Sequence, residues 1–91
     1  MAKPAIVNIL PQPYLGYGAA TQIIVPDAGP LGDGRWIADA VIQWPDGSYD
    51  VGASGLIETS KKGAESLAEA KAVDRWAAIE NGSLNKSHPS R

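Results

Sequence analysis

The sequence predicts an α+β fold: a three-stranded antiparallel sheet with one C-terminal helix packed on one face, in the order β-β-β-α. Three observations carry this. Residues 35–44 alternate with period two, and one face, Trp36, Ala38, Ala40, Ile42 and Trp44, is wholly apolar. Pro45-Asp46-Gly47 follows at once, which suits a type I turn closed by a glycine bulge. Beyond the next strand, residues 59–80 lack proline and are rich in Ala, Glu and Lys.

The elements follow in chain order. Residues 1–13 hold Pro4, Pro11 and Pro13 and read as an irregular or partly extended flexible arm, with Ile6, Val7, Ile9 and Leu10 apolar enough to pack on the domain or a partner. A single domain then spans residues 14–82. Strand one runs from about Tyr17 to Val25, where the β-branched run stops at Pro26. The Gly- and Pro-rich stretch from Pro26 to Gly34 is a long loop.

Strand two is Arg35 to Trp44. Ala38 and Ala40, between Trp36 and Trp44, leave a shallow trough in which a helix docks closely. Strand three runs from about Ser48 to Ile57. Tyr49, Val51, Ala53, Gly55 and Ile57 alternate there with Asp50, Gly52, Ser54, Leu56 and Glu58. Gly52 and Gly55 predict a bulge or an early end near Ala53.

The helix is capped by Thr59 or Ser60 and stops at Gly82. Of its two apolar stripes, Ala64, Ala68, Ala72, Trp76 and Ile79 form the expected docking face. Trp76 requires burial and the alanines permit close approach, with Leu67 and Val73 alongside. Residues 83–91 read as a disordered tail.

Composition bounds function more than it defines it. The chain has 91 residues, 44% apolar and 20% charged, which fits one small globular domain. It has no cysteine, so neither disulfides nor thiolate metal sites supplement the core. The apolar run Ile6-Val7-Asn8-Ile9-Leu10 ends at Pro11, short of a signal-peptide core, and no segment is long enough to span a membrane. The expected address is cytoplasmic, with export by a route lacking a cleaved signal left open. Charge is uneven: residues 25–58 carry net −5 and residues 59–91 net +2. An acidic strand region repels phosphate backbones.

No constellation of residues defines a catalytic, cofactor or metal site. His88 is the single histidine and lies in the tail, where nothing holds it rigidly enough for a triad. Asp27 and Asp33 share a loop, without the oxygen ligands of an EF-hand between them. Asp46 reads as a turn former, and Asp39 and Asp50 as solvent-facing strand residues. Gly52-Ala53-Ser54-Gly55 ahead of Lys61-Lys62 fits neither a P-loop nor a dinucleotide fingerprint.

Trp36, Trp44 and Trp76 are expected in the core. Tyr14 and Tyr17 are candidates for exposure, and with Ile37, Val41 and either Ile23 or Ile24 on the open sheet face they form a candidate protein-contact patch. An N-terminal arm lying over that face is the competing reading. Lys61, Lys62, Lys71 and Arg75 are the candidate nucleic-acid contacts, since Lys71 and Arg75 lie one helical turn apart.

The run from Gly34 through Gly47, the segment Thr59-Ser60-Lys61-Lys62-Gly63-Ala64-Glu65 and the stretch Asp74-Arg75-Trp76-Ala77-Ala78-Ile79 resemble a kind of small uncharacterised protein common in Burkholderia and related bacteria. The resemblance covers about residues 17–81. It implies a hairpin with a tryptophan strand followed by a Ser-capped helix, and its motifs are structural positions that transfer no activity. The β-β-β-α order is also similar to the later part of double-stranded-RNA-binding domains, whose basic helix-start cluster and preceding helix are not evident here.

The function expected from the sequence is a non-enzymatic protein-interaction module without cofactor or membrane attachment. Its partner is another protein or a second copy, met through a free strand edge or the open sheet face. Nucleic-acid binding through the basic helix residues is the first alternative, and a small enzyme built on a carboxylate pair in a cleft is the second.

Overall fold

The computed structural model describes residues 5–7 and 21–84. Among the described residues, five strands and one helix follow in order: β1 Ala5–Val7, β2 Gln22–Ile24, β3 Gly29–Pro30, β4 Trp36–Gln43, β5 Tyr49–Glu58 and α1 Lys61–Glu80. The antiparallel β2-β4-β5 arrangement is the expected sheet, and α1 packs across β4 and β5 on its Trp36/Trp44 face.

Two small strands enlarge that plan. Ala5–Val7, within the expected flexible arm, pairs in parallel with Gln22–Ile24. The outer side of β2 is therefore occupied by β1 and is not the free edge expected of strand one. Within the expected long loop, Gly29 and Pro30 pair with Ile37 and Trp36 of β4. The first long strand is thus split into β2 and β3. Ile24 opposes Val41 and Gly29 opposes Ile37, so the split strand carries one more residue than β4 does over the same interval. Val25 and Ala28 turn out of the ladder at this break and are buried in the core. The remainder of the expected strand one, 17–20, lies outside the described residues.

The β4–β5 hairpin has the expected turn. The Gly47 N–H donates to the Trp44 carbonyl at 2.9 Å and the Trp44 N–H to the Ser48 carbonyl at 2.8 Å. Gly47 takes φ 88°, a conformation that glycine adopts without penalty. Asp46 closes the turn by accepting from the Ser48 N–H at 2.9 Å and the Ser48 hydroxyl at 2.6 Å.

β5 does not end early at its glycines; it bulges twice. Ala38 opposes Leu56, Ala40 opposes Ala53 and Val41 opposes Val51, so β5 carries an extra residue in each interval. Each extra residue reverses the facing of the residues beyond it. Val51 points away from the helix, Ala53 and Leu56 point toward it, and Ile57 points away again. The simple alternation expected for residues 49–57 is corrected accordingly. Asp50, expected in solvent, opposes Ile42 on the helix side and is 2% exposed, with its carboxylate 3.7 Å from Arg75 Nη2.

The helix is bounded as expected. Ser60 caps it, its hydroxyl accepting from the Gly63 N–H at 2.9 Å. At the other end Gly82, at φ 85°, donates to the Ile79 carbonyl, and the Ser83 N–H reaches the Ala78 carbonyl, the two bonds of a Schellman stop. Ser83 and Leu84 therefore belong to the cap rather than to the tail, and residues 85–91 lie outside the described residues.

Of the expected docking stripe, Ala64, Ala68 and Ala72 are fully buried, Trp76 nearly so, and Ile79 half-buried against the same core. These alanines meet a floor of equally small residues, Ala38, Ala40, Gly52 and Ala53. Trp44 and Trp76 are also buried in this layer. Small residues on both surfaces let the helix axis approach the sheet, while the tryptophans bury large apolar rings beside them.

Candidate interaction surface

The face of the sheet opposite α1 carries a short apolar ladder. Directly opposed residues on antiparallel strands project to the same side. Ile37 opposes Ile57 and Val41 opposes Val51, and all four lie on the side away from the helix. Ile57 is 42% and Val51 57% exposed, while Ile37 and Val41 are half-buried. Of the residues expected in a contact patch, Ile37 and Val41 thus supply its inner wall, and β5 supplies its accessible surface.

The sequence reading missed Val51 and Ile57, because strict alternation assigns them to the same side as Ala53. Gly52 and Gly55 were the available signal. Asp39 stands between Ile37 and Val41 on this face, exposed, and its Oδ1 accepts from the Gly55 N–H at 2.8 Å. That bond gives the bulged backbone a partner where the ladder supplies none, and φ +71° at Gly55 makes the bulge geometry accessible.

The patch does not extend across the sheet. Ile24, opposite Val41, and Gln43 lie on the same side but are fully buried. Ile23 opposes Ile42 and faces the helix, also fully buried. Neither Ile23 nor Ile24 therefore offers contact surface. Tyr14 and Tyr17 lie outside the described residues. The patch borders the outer edge of β5, a strand that pairs only with β4 among the described residues.

The basic residues do not converge. Lys61 Nζ lies 3.1 Å from Glu65 Oε2 and 3.4 Å from Asp27 Oδ1. The bond to Glu65, followed by the nearby Asp27 charge, raises the Lys61 pKa above its ordinary value. Arg75 lies on the flank of the helix nearest Asp50 of β5. Lys62 and Lys71 are exposed but nine positions apart, which places them on opposite flanks of a helix, about 180° around its axis.

Two carboxylates make contacts within the chain, Glu65 across the fold and Asp33 locally. Glu65 Oε2 accepts from the Ala28 N–H at 2.8 Å, and that amide, with Lys61 as the second cause, holds the Glu65 carboxyl below the usual range. The bond fastens the break between β2 and β3 to the helix. Asp33 accepts from Arg35 Nε at 2.9 Å, and the same guanidinium lowers the Asp33 pKa. Among the described residues, no group of three or more His, Cys, Asp or Glu side chains is arranged to hold a metal ion, and no helix is long and apolar enough to cross a membrane. Comparison with protein-family models, curated proteins and solved structures finds no match to this chain.

Proposed function

We propose that this chain is a non-enzymatic protein-interaction module that associates through the Ile37/Ile57 and Val41/Val51 ladder and the adjoining edge of β5, with a second copy as its first partner. The observation that carries this reading is the exposure of Val51 and Ile57 on the sheet face opposite α1. Apolar side chains in contiguous cross-strand pairs lose contact with water when a partner covers them. Two bulges twist the β5 edge, which favours face contact over continuous strand addition.

The test is an amide-resolved NMR dilution series of the full chain, paired with sedimentation velocity. Amides of Ile37, Val41, Val51 and Ile57 shift with concentration, and Val51→Glu with Ile57→Glu abolishes both the shifts and the faster-sedimenting species. A chain that remains monomeric from micromolar to millimolar concentration, with these amides unmoved, overturns self-association. A short DNA duplex at low salt serves as the contrasting probe. Salt-sensitive shifts at Lys61, Lys62, Lys71 and Arg75, lost in a variant with Lys61→Glu and Lys62→Glu, would replace the proposed partner with nucleic acid.

A further inference from the structure

We draw no further inference here: the strongest candidate, the hollow of about 360 Å³ between the first turns of α1 and the β1–β2 edge, lined by Ile6, Val25, Lys61, Lys62 and Glu65 among others, rests on a helix N-terminus whose cap is filled by Ser60 and whose Lys61 is held by Asp27 and Glu65, with no second feature that points to a ligand.

Discussion

Gly52→Ala tests the packing between sheet and helix most sharply. A Cβ at position 52 would lie 2.6 Å from the Ala72 Cβ, 3.2 Å from the Ala40 carbonyl oxygen and 3.3 Å from the Ala72 Cα. Gly52 is not among the residues with positive φ, so its backbone accepts alanine and steric overlap is the opposing effect. Forcing one extra methyl into a close-packed layer costs about 1–3 kcal/mol. Restricting the unfolded chain returns about 0.4–1 kcal/mol. The expected net loss is therefore roughly 1–2 kcal/mol. Chemical denaturation followed by circular dichroism measures it, the wild-type m-value being retained.

Ala72→Gly supplies the control, because it removes the atom that the new methyl strikes. Alone it costs about 1 kcal/mol in helix propensity, plus up to ~0.8 kcal/mol for the lost buried methyl. Combined with Gly52→Ala, it should destabilise by less than the two single losses together, with a coupling of at least ~0.5 kcal/mol. A neutral Gly52→Ala, or an additive double variant, would refute the close approach of β5 and α1 at this point.

Glu65→Ala leaves the Ala28 amide without its carboxylate and costs about 1–3 kcal/mol, with hydrogen exchange at Ala28 accelerating beyond what the global loss explains. Because the folded Glu65 pKa is depressed, its contribution is present above the unfolded value of about 4.3 and is lost as pH falls through the folded value; the difference between wild type and Glu65→Ala in a pH-dependent denaturation series should shrink in that acid window and stay level above it. Ser60→Ala removes the helix cap and lowers stability by about 0.5–2 kcal/mol, and Ser60→Asp should restore most of it. Trp76→Ala opens the layer between sheet and helix at a cost of about 3–5 kcal/mol, the largest loss expected among these variants on thermal melting.

Local chemistry made much of the architecture legible in the sequence. Pro45-Asp46-Gly47 specifies a turn through backbone angles and a side-chain acceptor that lie within four residues of one another. Ser60 and Gly82 mark the helix ends for the same reason. The stripe of Ala64, Ala68, Ala72 and Trp76 follows from helical spacing and the size of one tryptophan. Trp36, Ala38, Ala40, Ile42 and Trp44 follow from the pleat of one unbroken strand. Each signal is short in range and survives ignorance of what lies across the fold.

The candidate surface was legible only in part, because facing on β5 depends on register against β4. Glycines at 52 and 55 announce that a bulge is available, but not how many residues each bulge takes up. The small floor beneath Ala72 decides that Gly52 lies against the helix, and that choice places Val51 and Ile57 outward and Asp50 inward beside Arg75. The break between β2 and β3 is likewise set from a distance, by a carboxylate 37 positions away in the chain that binds the Ala28 amide. The sequence by itself determined the β4–β5 hairpin with its turn, the helix with its two ends, and the buried faces of β4 and α1, since those follow from dihedral preference and hydrophobic period. Only the tertiary structure decided the bulges, the β1–β2 pairing and the exposed ladder, because each arises from contacts between segments far apart in the chain, which local sequence preferences do not encode.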